Sequence, residues 1–81
     1  MRKMVKEYAN EMEEAMAKKD TMFVDKLNYK NIEIKQLAQR ASDKFQDLML
    51  AVYSGDIKMI IKKSISTSNY CMMIREKVKS K

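Results

Sequence analysis

Residues 34–56, IKQLAQRASDKFQDLMLAVYSGD, decide the fold of this 81-residue chain. Their apolar positions alternate between spacings of four and three, the a/d pattern of helices that pack along a seam. This oligomer seam consists of Ile34, Ala38, Ala41, Phe45, Leu48 and Val52. Leu37, Met49 and Tyr53 widen the apolar stripe. We therefore expect a helix that packs against more than one neighbour, as in a bundle.

The end of this helix is marked by the sequence Ser54-Gly55-Asp56. Glycine is common just past a helix end, where the backbone adopts a left-handed conformation. Asp56 then occupies the position where the N-cap of a following helix is expected. Because the connection is so short, the two flanking helices are predicted to form an antiparallel hairpin.

The start of the second helix is less clearly marked than its end. Projected backward, the stripe passes through Asn31 and Leu27 and predicts a helix over residues 22–53. Asparagine prefers caps and turns, so the alternative is a broken start at Asn28 and Asn31. The preceding helix is predicted over residues 2–18, because six apolar residues share one of its faces. These six are Met4, Val5, Tyr8, Met12, Ala15 and Met16.

A third helix is predicted over residues 56–78, with a change of apolar face at its middle. In 57–65 the apolar face is formed by Ile57, Ile60, Ile61 and Ile65. In 70–78 it centres on Cys71, Ile74 and Val78, about 100° further round the axis. The residues at 66–69, Ser-Thr-Ser-Asn, prefer caps and turns. The helix either breaks there, giving four helices, or stays whole and is buried by different neighbours. A strand over 57–65 is a third alternative, although it lacks a partner strand.

The composition favours a single all-α domain over residues 1–81. The chain has no proline and one glycine, and helix-forming residues dominate its first two-thirds. A domain this short buries a small core and usually needs a disulfide, a metal or oligomerisation. One cysteine and no histidine argue against a disulfide and against a zinc site. We therefore expect a three- or four-helix bundle whose core is completed in a dimer or higher homo-oligomer.

The residue types argue against an enzyme. Without histidine the chain lacks the commonest general base, and one glycine cannot form a phosphate-binding loop. We assign no catalytic residue, metal site or cofactor, and expect Cys71 to be a buried core residue. The lone cysteine, the lack of a secretory signal and the lack of a transmembrane span together predict a cytoplasmic protein.

The charge distribution indicates a contact surface in the last quarter of the chain. Residues 57–81 carry seven basic side chains and one acidic one, whereas the rest of the chain is neutral overall. We expect a larger acidic protein to bind this segment, at Lys58, Met59, Lys62, Lys63, Met72 and Met73. Methionine is included because its flexible side chain is common on surfaces that repack around partners. Nucleic-acid binding by residues 57–81 is the alternative.

The small size and all-helical character are similar to those of many regulatory proteins of bacteria and phages. Such proteins bind and modulate a larger host factor. This likeness of type rests on no motif, and it implies an oligomeric adaptor, a regulator or an inhibitor.

Overall fold

The computed structural model describes residues 1–22 and 32–79, which form three α-helices and no strand. Helix α1 spans Lys3–Met22, α2 spans Ile34–Ser54 and α3 spans Ile57–Lys79. The predicted all-α class is confirmed for these residues. The alternative of a strand over 57–65 is wrong, because these residues belong to α3.

The turn between α2 and α3 has the predicted form. Gly55 adopts φ 76°, in the left-handed region where a side chain is disfavoured. The backbone N–H of Asp56 donates to the carbonyl of Ala51 at 3.1 Å, and that of Gly55 donates to Val52 at 3.2 Å. Asp56 then caps α3, its Oδ1 accepting a hydrogen bond from the backbone N–H of Met59 at 3.2 Å. These hydrogen bonds satisfy backbone groups at the end of α2 and the start of α3 that would otherwise lack a partner.

The predicted boundary between the first two helices is wrong. Helix α1 continues beyond residue 18 to Met22, and α2 begins at Ile34 instead of near residue 22. The start of α2 is fixed locally, since Gln36 Oε1 accepts a hydrogen bond from the backbone N–H of Glu33 at 3.4 Å, as in a capping box. The proposed backward extension of the stripe through Asn31 and Leu27 lies outside the described residues.

Helix α3 is the element on which both other helices pack. It runs antiparallel to α2, as predicted: near the turn Lys63 meets Asp47, and at the far end Lys77 Nζ donates to the carbonyl oxygen of Ile32. The buried core cluster lies towards that far end and consists of Ile32, Leu37, Tyr70 and Met73. Met16, Ala41 and Ile74 pack against this cluster, so all three helices contribute to it.

Helix α3 passes through residues 66–69 without a break. The hydroxyl of Thr67 donates to the carbonyl of Lys63, one turn earlier, at 2.7 Å. Tyr8 of α1 donates to the Ser64 carbonyl at 2.8 Å, and its hydroxyl lies 2.5 Å from Ser68 Oγ. Asn69 Nδ2 donates to the Met12 carbonyl of α1 at 3.3 Å. The polar residues therefore attach α1, and of the two alternatives the unbroken helix is confirmed.

The apolar face predicted for the second half of α3 is wrong. Cys71 and Val78 are exposed, whereas Asn69, Tyr70 and Met73 are buried. The buried side of α3 is set by where α1 and α2 pack, and a polar residue that bonds α1 occupies part of it. Cys71 lies outside that arc and is not the core residue expected from sequence.

Candidate interaction surfaces

The lysines in the first half of α3 lie on two different sides of that helix. Lys58 and Lys62, one turn apart, line an open groove of about 630 Å³ between α1 and α3. We call this the α1–α3 groove. Its residues are Glu11, Glu14, Ala15 and Lys18 of α1 and Lys58, Ile61, Lys62, Ile65 and Ser66 of α3. The α1 wall therefore carries two carboxylates and one lysine, whereas the α3 wall carries two lysines and two isoleucines.

Lys63 belongs to a separate surface that faces α2. Its Nζ lies 3.5 Å from Asp47 Oδ2, and its side chain is largely covered. Together with Met59 it lines a groove of about 500 Å³ between α2 and α3, near the turn. Lys63 follows Lys62 in a helix, so its side chain points about 100° away around the axis. The structure thus separates Lys58 and Lys62 from Met59 and Lys63.

The methionines of the predicted partner surface differ in exposure. Met59 and Met72 are exposed, but Met73 is 9% exposed and belongs to the core cluster with Leu37 and Tyr70. Met73 therefore belongs to the core and is not part of the exposed surface that a partner could contact. The reason is its place on the side of α3 that faces α2, which the sequence pattern alone did not identify.

The six seam residues of α2 lie beside the face that packs on α3. Leu37 and Ala51 are the buried residues of this helix, about 80–120° around the axis from Phe45. Phe45 is 46% exposed, Val52 and Ala38 are also exposed, and Ile34, Ala41 and Leu48 are half-buried. Met49 extends the exposed apolar surface. We call the six residues predicted from sequence the α2 seam.

The N-terminal part of α1 carries a third apolar surface, which sequence reasoning did not single out. Met4 and Val5 are exposed and lie on the same face as Tyr8 and Met12. With Ala9 these residues line an open groove of about 350 Å³. Their helical spacing predicts a buried face. In the structure this face is half-buried where α1 contacts α3, at Tyr8 and Met12, and exposed at Met4 and Val5.

The described residues contain neither a cluster of metal-binding side chains nor a helix that could cross a membrane. No group of three or more His, Cys, Asp or Glu side chains lies close enough together there to hold a metal ion. None of the three helices combines the length and apolar character needed to cross a membrane. Comparison of the chain with protein-family models, with curated proteins and with solved structures finds no match.

Proposed function

We propose that this protein is a non-enzymatic helical interaction module, an oligomeric adaptor or regulator that binds a larger acidic protein. The supporting observation is the exposed edge of α3 at the α1–α3 groove. Ile61 is 51% exposed there, beside the exposed Lys58 and Lys62. Neither lysine forms an ion pair with the described residues. Apolar contact area and unpaired positive charge therefore lie together on one surface.

The chemistry of the groove favours an acidic amphipathic segment as ligand. Carboxylates of such a segment would pair with Lys58 and Lys62, while its apolar side chains cover Ile61. On the opposite wall, the two carboxylates of Glu11 and Glu14 exceed the one positive charge of Lys18, so this wall would disfavour the acidic side of the ligand and so fix its orientation. Specificity would come from this division of charge between the two walls.

The arrangement of the remaining cations favours protein over nucleic acid as the partner. Lys63 pairs with Asp47, and Arg75 Nη1 lies 2.8 Å from Glu76 Oε1. Lys77 bonds the carbonyl of Ile32. Contact with a phosphate backbone uses a continuous row of available cations. The described part of α3 offers the pair Lys58 and Lys62, with the exposed Lys79 about 25 Å further along the axis, instead of such a row.

Charge reversal at the groove tests the proposal. The variant Lys58→Glu/Lys62→Glu is compared with a control, Arg2→Glu/Lys6→Glu, on the exposed start of the chain. Each pair lowers the formal net charge from +6 to +2, since each reversal removes two charges. Tagged chains capture partners from the native host, and the captured protein is then titrated in purified form at two salt concentrations. We expect the groove variant to bind at least about 10-fold more weakly and the control to bind like wild type.

Two outcomes would contradict the proposal. Equal loss of binding in both variants would indicate a general charge effect without a role for the groove. Salt-dependent binding of wild type to duplex or single-stranded nucleic acid, lost in the groove variant, would support the nucleic-acid alternative. Circular dichroism of each variant establishes that the helices remain formed.

A further inference from the structure

We infer that two copies of this chain pair antiparallel through their α2 seams, about a two-fold axis at the level of residue 43. The inference deepens the oligomeric part of the proposed function and rests on it. The occupant of the exposed seam is thus a second copy of the same helix. Three properties of the described residues support it: the exposed apolar side chains of α2, the order of large and small residues, and the lack of charge in the seam.

One side of α2 exposes large apolar side chains. Phe45 is 46% exposed, Met49 44% and Val52 56%. Removing apolar surface from water is the main favourable contribution to most protein association. Pairing of two such faces would bury these side chains.

The order of residues in the seam matches an antiparallel register. With the axis at residue 43, Phe45 of one copy faces Ala41 of the other. Leu48 likewise faces Ala38, and Val52 faces Ile34. Each of these layers joins an a position to a d position, as antiparallel helix pairs require. Two of the three layers set a large side chain against alanine, so their volumes are complementary.

A parallel pair of the same helices would pack less well. Each residue would then face its own copy, with Phe45 on Phe45 and Ala41 on Ala41. Such layers alternate between overfilled and empty, and both conditions destabilise a core. The sequence of the seam therefore selects the antiparallel arrangement.

The lack of charge in the seam predicts how the pair responds to salt. The six seam residues are uncharged, and Ser42 and Met49 line one flank. The other flank is the side of α2 that packs on α3, where Leu37 and Ala51 are buried. Salt strengthens apolar contacts, so added salt should not weaken pairing. Binding of an acidic partner to Lys58 and Lys62 should weaken under the same conditions.

Sedimentation equilibrium of wild type and two matched variants tests whether the seam pairs. Phe45→Glu places a charge in the seam, whereas Leu50→Glu places it at an exposed apolar position on another side of α2. We expect Phe45→Glu to raise the dimer dissociation constant about 30-fold or more, the size of an interface hot spot. Leu50→Glu should dimerise like wild type. A monomeric wild type with intact helices, or equal weakening in both variants, would overturn the inference.

Spin-label distances test the antiparallel register. In a Cys71→Ser background, labels are attached to Gln46→Cys or to Tyr53→Cys, which are both exposed positions. At 1.5 Å per residue, the two labels of a dimer are offset along the axis by about 9 Å at position 46 and about 30 Å at position 53. A parallel pair gives the same distance at both positions, and that result would overturn the register.

A double-mutant cycle identifies one contact between the copies. Ala38 and Leu48 lie ten residues apart on one helix, about 15 Å, too far to interact within one chain. Across the antiparallel pair they are in contact. We expect Ala38→Leu and Leu48→Ala each to weaken dimerisation, and the double variant to dimerise more tightly than their combined effects predict. Additive effects would contradict the register.

Two variants separate pairing through the α2 seam from partner binding at the α1–α3 groove. Lys58→Glu/Lys62→Glu leaves the seam intact and should still dimerise. Phe45→Glu leaves the α1–α3 groove intact and should still bind the acidic partner as a monomer. A groove variant that no longer dimerises would contradict the separate placement of the two surfaces.

Discussion

At the scale of single residues, hydrogen bonds from α1 explain why polar side chains lie within α3. The Tyr8 hydroxyl bonds both the Ser64 carbonyl and Ser68 Oγ. Asn69 bonds the Met12 carbonyl. Ser68 and Asn69 look like helix-breaking residues in the sequence, yet each has a partner on α1. The preference of serine and asparagine for caps and turns is small compared with the tertiary contacts that these residues make.

Removal of the Tyr8 hydroxyl is expected to weaken the attachment of α1. Tyr8→Phe deletes both hydrogen bonds while keeping the ring, so the free energy of unfolding should fall by about 1 kcal/mol. Urea unfolding followed by circular dichroism measures the change. Tyr53→Phe is the matched control, because Tyr53 is 83% exposed. Equal stability of the two variants would show that the hydroxyl of Tyr8 contributes nothing.

Asn69 presents the opposite case, since one of its polar atoms lacks a partner. The residue is 1% exposed, and its Oδ1 forms no hydrogen bond in the described structure. Burying such an atom costs about 1–3 kcal/mol, while the bond from Nδ2 to Met12, at 3.3 Å, is long. We therefore expect Asn69→Leu to raise the free energy of unfolding by about 1 kcal/mol.

The contrasting variant is Asn69→Asp, which keeps the shape of the side chain. It replaces the donor with an acceptor and introduces a buried charge, so it should lower stability. Thermal unfolding at pH 7 compares both variants with wild type. If Asn69→Leu instead lowers stability as much as Asn69→Asp does, the prediction is wrong. The hydrogen bond to Met12 then stabilises the fold by more than the unpaired Oδ1 destabilises it.

At the scale of helices, features fixed by neighbouring residues could be predicted from the sequence. The turn at Gly55 and the cap at Asp56 depend on a few adjacent side chains and appear as expected. The start of α2 was misplaced because the apolar stripe was extended past Glu33, whose capping interaction with Gln36 is also local. That signal was present in the sequence and was overlooked.

The candidate surfaces were harder to predict because they depend on how the helices pack. The sequence grouped Lys58, Lys62 and Lys63 by proximity along the chain, but Lys63 turns towards Asp47 of α2. It also gave Met73 to a partner surface, whereas Leu37 and Tyr70 surround Met73 in the core. A spacing pattern identifies residues that share a face. It does not state which face meets which helix.

Substitution of Gly55 should destabilise the hairpin through its backbone alone. A Cβ added at Gly55 meets no atom within 4 Å, so there is room for a side chain. The φ of 76° nevertheless costs an L-residue about 1–2 kcal/mol. Gly55→Ala is therefore expected to lower the free energy of unfolding by about that amount. Gly55→Asn should lose less, because asparagine tolerates this conformation. Equal urea midpoints for Gly55→Ala and wild type would exclude strain at the turn.

At the scale of the whole molecule, the two proposed surfaces lie on different helices. The α2 seam includes Phe45 and Val52, and the basic edge of the α1–α3 groove includes Lys58 and Lys62. A dimer formed through α2 would therefore present two copies of the groove to a partner. Two linked sites raise apparent affinity when the partner itself is multivalent. Pairing through α2 would explain both the small core of one chain and the apolar side chains that α2 exposes.

If pairing through α2 supplies part of the core, stability must depend on protein concentration. A ligand that binds only the folded state stabilises it in proportion to the logarithm of its concentration, and here the ligand is a second copy of the chain. Because each chain is both ligand and receptor, about 7% of the chains remain monomeric at a concentration 100-fold above the dissociation constant, so dimerisation adds about 1.6 kcal/mol per chain. The Tm should therefore rise by several degrees in calorimetry. The Tm of Leu50→Glu should rise likewise, whereas that of Phe45→Glu should stay constant. A wild-type Tm independent of concentration, across the range in which Phe45→Glu is monomeric, would exclude a core completed by a second copy.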